Sequence, residues 1–131
     1  MNTKLSKILA EISAGELIDK ITILEIKKVK IANKNKLAEV EKELLSLNET
    51  MKKFIPDNPK ILKFKDELKD INLKLWNIEN DTRLAEKNNT FDKKFIELAR
   101  DVYKSNDQRA KIKLEINNTL GSNIKEVKSY E

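Results

Sequence analysis

Apolar residues recur along most of this chain at every third or fourth position, the spacing that lines one face of an α-helix. The clearest run is Ile61, Phe64, Leu68, Ile71, Leu75, Ile78, Thr82 and Ala85, a seam unbroken over 25 residues. A second run, Leu37, Val40, Leu44, Leu47, Met51 and Phe54, steps 3-4-3-4-3 and predicts another helix. A third begins at Phe91, Phe95, Leu98 and Val102 and resumes at Ile116 and Leu120. The stretch Leu17, Ile18, Ile21, Ile23, Leu24, Ile26, Val29 and Ile31 is different, because its apolar residues fall on nearly all sides. Such a helix belongs at the centre of a fold or in an interface. Its β-branched core, Ile21 to Ile26, also fits a strand, but its length and a capping box favour a helix.

Punctuation agrees with this periodicity. Ser13 followed by Glu16 forms the capping box that starts the first helix, and Asn58-Pro59 is an N-cap with proline at the first helical position. A turn is expected at Asn33–Lys36, where the phase of the first run fails to continue into the second. Asn88-Asn89-Thr90 interrupts the third helix, Asn89 or Asp92 can cap the fourth, and Gly121 stands where a left-handed closing residue belongs. The prediction is a single all-α domain over residues 1–131, with helices at 14–32, 35–55, 59–88 and 90–120. An N-terminal arm, 1–12, and a C-terminal tail, 122–131, flank them. Two antiparallel helical hairpins, the second pair longer, would assemble as a four-helix bundle.

Composition narrows the chemistry more than it names it. Two glycines and two prolines argue against a turn-rich β fold. The absence of cysteine and histidine excludes a disulfide framework, thiolate or zinc chemistry and histidine-based triads. Net charge +5 invites a nucleic-acid reading, but most lysines have an acid three or four positions away, which makes solvated, ion-paired faces. Nucleic acid is therefore not an expected partner. No apolar run reaches membrane-spanning length and no secretory h-region is visible, so the expected compartment is the cytoplasm.

The informative residues are polar ones placed where the seams should be dry. Only three of 27 basic residues are arginine: Arg83, Arg100 and Arg109. In a lysine-rich chain these mark positions that need a forked guanidinium. Asn72, Trp76, Glu79 and Arg83 follow one another at i, i+4, i+7 and i+11, a polar line beside the apolar seam. In the fourth helix the seam is broken by Asn106, Arg109 and Lys113, with Asn117 on the same side and Tyr103 nearby. Long polar side chains in an apolar stripe must be paired or reach water. Glu25, Glu79, Arg83, Arg109 and Lys113 are expected to meet in one polar layer. There, Arg83, Arg109 and Lys113 would hold a phosphate or carboxylate. Asn72, Asn106 and Tyr103 would orient the ligand, Trp76 would wall it, and Glu79 or Glu25 would be the acid–base candidate. The structural alternative is a buried ion-pair network that sets helix register. Glu16 and Asp19 are weaker, metal-binding candidates. No cofactor follows from the sequence.

Two blocks carry a resemblance: Ser13-Ala14-Gly15-Glu16-Leu17-Ile18-Asp19-Lys20-Ile21-Thr22-Ile23-Leu24-Glu25-Ile26-Lys27 and Leu75-Trp76-Asn77-Ile78-Glu79. With Phe95–Tyr103, Asn106–Lys113, the Gly121-Ser122 step and the Lys128-Ser129-Tyr130 ending, they resemble a family of about this length from bacteria and their phages, catalogued as a domain of unknown function. Asn80 stands where that family typically has aspartate. The resemblance implies that the polar residues are family features and carries no reaction. The functional expectation is a helical protein, enzyme or not, with a pocket for a phosphorylated or carboxylated small molecule, and a homodimer. The alternative is a homo-oligomeric adaptor whose first helix buries against a second chain.

Overall fold

Four helices account for the fold in this computed structural model, which describes residues 4–130: α1 (Ala14–Lys30), α2 (Lys34–Phe54), α3 (Pro59–Lys87) and α4 (Lys93–Leu120). Among the described residues there is no strand, so the Ile21–Ile26 ambiguity resolves to helix. The β-branched residues are helical there because the helix is buried on two sides, and burial outweighs a propensity difference of about 0.5 kcal/mol per residue. The bundle and the long third and fourth helices are as the periodicity requires.

α1 is the hub. It packs against α2 on one side and against α3 and α4 on the other, while α2 makes close backbone approach to α1 alone. Its two apolar faces serve two clusters. Leu17, Ile21 and Leu24 pack with Val40 and Leu44 of α2. Ile18 joins Ile61, Phe64, Leu68 and Ile71 of α3 and Ile112 and Ile116 of α4. Met51 and Ile55 touch both clusters and close the end of the core. An all-round apolar helix is thus covered on two sides by helices of its own chain. Full burial of each Leu or Ile contributes about 1.5–3 kcal/mol, and α1 is the element that joins the two clusters.

Two residues of the expected seams lie outside the core. Val29 is 82% exposed. The stripe Ile18, Thr22, Glu25, Val29 runs off the far side of α3, with Glu25 meeting Lys65 and Lys69 at the edge and Val29 beyond it. Phe54 is also exposed, because α2 ends there and the extended Ile55 takes its place against the core. Buried positions stop at Ile78 on α3 and begin at Ser105 on α4. The outer part of this hairpin therefore stands clear of α1, sealed only by half-buried Thr82, Ala85, Phe95 and Leu98.

The caps follow the sequence signals, with one-turn adjustments. Ser13 Oγ accepts the Glu16 N–H, and Asn33 and Asn58 cap α2 and α3 in the same way. α3 ends in a Schellman closure on Asn89 (φ 52°), with Thr90 N–H on Ala85 C=O and Asn89 N–H on Glu86 C=O. This closure uses the residues expected to begin α4, which starts instead at Lys93 with Asp92 as its cap. Gly121 (φ 63°) closes α4, and Ser122 N–H returns to Asn117 C=O. From there the tail crosses back over the start of α1.

Gly15 permits a close approach of α1 to the backbone of α4. A Cβ at this position would sit 2.5 Å from the Lys113 carbonyl oxygen of α4. Backbone cannot yield as a flexible side chain does, so Gly15→Ala is expected to force α1 and α4 apart. Overpacking of this kind costs about 1–3 kcal/mol, which should lower the melting temperature by about 4–10 °C. Circular dichroism melts of the two proteins check this; an unchanged melting temperature would contradict the close-packed arrangement.

Candidate functional site: an ion-paired layer and the groove beside it

On α1, Gly15, Asp19 and Thr22 occupy i, i+4 and i+7 and share one face. On α4, Arg109, Lys113 and Asn117 repeat at intervals of four and share another. These two polar stripes meet. Asp19, with no exposed surface, accepts from Arg109 through both carboxylate oxygens: Nε lies 2.9 Å from Oδ1, and Nη2 lies 2.5 Å from Oδ2. Asn72 of α3 completes the shell by donating to Asp19 Oδ1 at 2.8 Å and to Thr22 Oγ1 at 2.9 Å. The Thr22 hydroxyl in turn donates to the Asp19 carbonyl. Three helices are therefore tied through one carboxylate. Among the described residues no buried side-chain nitrogen or oxygen lacks a partner, the condition under which a buried pair is tolerated rather than disruptive. The hydrogen bond to Asp19, supported by the nearby charges of Asp19 and Glu16, outweighs burial and raises the Arg109 pKa, so the guanidinium is permanently charged.

One turn along, Lys113 Nζ donates to Glu16 Oε2 at 2.5 Å, and Glu16 also pairs with Lys20. The start of α1 is stitched to α4 and the tail. Gly15 N–H donates to Asn117 Oδ1 at 2.7 Å and Ala14 N–H to Ser122 Oγ at 3.1 Å. The cap hydroxyl of Ser13 donates to Glu126 Oε1 at 2.6 Å, and Asn117 Nδ2 donates to the other Glu126 oxygen at 3.0 Å. Lys128–Asp107 and Asn123–Glu11 pin the tail on either side. The first amides of α1 are thus all satisfied internally, and the tail is docked over them.

Beside the Asp19–Arg109 layer, α1, α3 and α4 diverge around a groove of about 310 Å³. Ile23, Ile26, Leu75 and Val102 form its apolar floor and sides, and Asn72, Trp76, Glu79, Asn106 and Arg109 supply its polar and aromatic lining. Arg109 binds Asp19 through Nε and Nη2, and its side chain keeps 29% exposure.

The nine residues singled out for catalysis or ligand binding therefore separate. Asn72, Trp76, Glu79, Asn106 and Arg109 come together. Lys113 is turned to Glu16 and lines a different cavity, between α4 and the tail. Glu25 is held by Lys65 and Lys69 on the edge of α3. Arg83 forms an exposed pair with Glu79, Nη2 to Oε1 at 2.9 Å, and Tyr103 is 52% exposed away from the groove. The five charges expected in one layer do not meet, because Glu25 and Arg83 lie where α1 has crossed past α3 or has not yet reached it. Arg100 is likewise an exposed residue of α4.

Sequence reasoning missed the true partner of Arg109. Asp19, considered only as a metal ligand with Glu16, is the buried acid at the centre of the layer. Both carboxylates are occupied by cationic side chains, and among the described residues no group of three or more acids gathers to hold a metal. The signal was present: an acid inside an all-round apolar helix needs a cation, and Arg109 breaks the facing seam. Glu126, Ser13 and Ser122 carried no periodic signal, since their contacts come from a tail folding back over a helix start.

Fold and site together define a small all-α bundle with one ion-paired layer and one polar groove, and no helix of the described residues is long and apolar enough to cross a membrane. Residues 8–131 match the Family of unknown function (DUF6165), and the chain belongs to that family. No curated protein and no solved structure matches it.

Burial opposes ionisation of Glu126, but hydrogen bonds from Ser13, from its own backbone and from Asn117, with the charge of Lys113, outweigh it and lower its pKa. A carboxylate with a depressed folded pKa stabilises above its unfolded value, and the contribution is lost as pH falls through the folded one. Glu126→Gln should therefore melt about 2–4 °C below wild type at pH 7, allowing for solvent screening. The gap should close as pH drops from about 5 toward 3. Paired thermal melts across that range check it, and a pH-independent gap would contradict the assignment.

Proposed function

We propose that the groove between α1, α3 and α4 binds a small, flat molecule bearing one carboxylate or phosphate. The observation carrying this reading is that five side chains conspicuous in the sequence, Asn72, Trp76, Glu79, Asn106 and Arg109, line a single concavity. Its volume of about 310 Å³ lies at the small end of ligand sites, enough for a ring system with one charged group.

The chemistry follows from how Arg109 is held. A guanidinium has five N–H donors in a planar fork. Asp19 takes the Nε/Nη2 edge, which fixes the plane of the group and leaves the Nη1/Nη2 end for a bidentate anion. A donor fixed beforehand loses little entropy on binding. The same pairing offsets most of the positive charge, which favours a single anionic group over a polyphosphate. Trp76 offers an aromatic face or edge to a flat ligand, and the Asn72 and Asn106 amides can read its polar edge.

Binding is the reading the geometry supports, rather than a reaction. Glu79 is solvated and shared with Arg83, and Glu25 is neutralised by two lysines, so neither is held against a reacting group. Lys113, bonded to Glu16, is not part of this anion site.

Trp76 is the sole tryptophan, so its fluorescence reports on the groove directly. Titrating inorganic phosphate, dicarboxylates, sugar phosphates and nucleotides should identify at least one class that changes Trp76 emission and raises the melting temperature. Asn106→Ala should weaken that binding about three- to tenfold, the equivalent of one neutral hydrogen bond, while leaving the melt of the free protein within about 2 °C. If no compound alters emission or melting at millimolar concentration, the proposal fails.

A further inference from the structure

In a single copy of this chain the apolar residues of the N-terminal arm stay exposed. Residues 4–12 form neither helix nor strand, and none of their backbone groups pairs with the backbone of the described helices. Leu5, Ile8 and Leu9 are 76%, 81% and 88% exposed. The arm runs along an open groove of about 700 Å³ between α1 and α2, where Leu24 and Val40 form the base and Leu45 of α2 stands 63% exposed. Apolar side chains therefore face water on both the arm and the rim it borders.

The charges around this groove are mixed in sign. Lys7, Lys27 and Lys42 stand with Glu39, Glu43 and Glu49 on the same surface. Three of each sign in one patch is unsuited to nucleic acid or an anionic membrane, both of which call for one sign. It suits a patch that must complement itself. A two-fold interface has this requirement, since each surface meets its own copy.

We infer that a second copy of this chain covers the groove, the two chains exchanging residues 4–9, ahead of the Glu11–Asn123 bond, so that Ile8 and Leu9 of each pack on Leu24, Val40 and Leu45 of the other. Lysines of one copy then meet glutamates of the other around the rim. The inference is independent of the Trp76 groove, which lies on the opposite side of α1, where it faces α3 and α4.

The test uses the full chain. Light scattering behind size exclusion at tens of micromolar should give wild type at twice the 15.2 kDa chain mass. The double variant Ile8→Asp/Leu9→Asp should run at the single-chain mass with unchanged helical circular dichroism and unchanged Trp76 emission. The chain has no cysteine, so cross-linking supplies a second readout that needs no destabilising change. Mixing differently tagged Leu9→Cys and Ser46→Cys proteins under mild oxidation should give a disulfide-linked pair carrying both tags. Wild type at the single-chain mass overturns the inference, as does a dimer indifferent to the two aspartates or the absence of the mixed cross-link.

Discussion

The structure depends on one buried carboxylate. Asp19 has no exposed surface, and a lone ionised acid in such a place would be expelled from the fold or neutralised. It is retained because Arg109 reaches it with two nitrogens, and Asn72 and Thr22 close the remaining sides. These groups come from three different helices. Satisfying the charge therefore fixes the rotation of α1 and its height on α3 and α4, which apolar packing alone, tolerant of sliding, does not. The same bond pattern sets the plane of Arg109 in the lining of the groove, so register and groove geometry have one origin.

Other features follow from where α1 sits. A helix apolar on nearly all sides can be buried only if something covers each side, and here α2 covers one while the α3–α4 hairpin covers the other. Gly15 lets the start of α1 press against α4, and the tail folds back to satisfy the helix start through Ser122 and Glu126. α1 has only 17 residues against 29 in α3, so it cannot cover the whole hairpin. The outer part of α3 and α4 is left as a two-helix projection, and the groove opens where α1 begins to part from it.

Much of this was legible in the sequence, for a physical reason. Periodicity reports which residues share a helix face, and Ile61 through Ile78 mark the buried face of α3 almost residue for residue. Caps report local backbone, and Ser13, Asn58 and Gly121 were readable because each acts within its own turn. Partner choice was not readable. The anomaly of Arg109 in an apolar seam was visible, but whether it met Glu25, Glu79 or Asp19 depended on the angle at which α1 crosses, and that angle leaves no mark on a single helix. Val29 and Phe54 were misplaced for the same reason: a face pattern does not show where the neighbouring helix ends. The contact of Glu126 with Ser13 joins residues 113 positions apart without periodicity, and nothing local announces it.

The coupling between Asp19 and Arg109 holds α1 in place on α3 and α4. A double-mutant cycle by urea denaturation, with Asp19→Ala, Arg109→Met and the pair, measures it. Each single change strands a buried charge or its partner and should remove about 3–5 kcal/mol. Removing both strands neither, so the double variant should lose clearly less than the sum, with a coupling of about 2 kcal/mol or more. Additive losses would show that the pair is incidental to the packing of α1, and the central claim would fall.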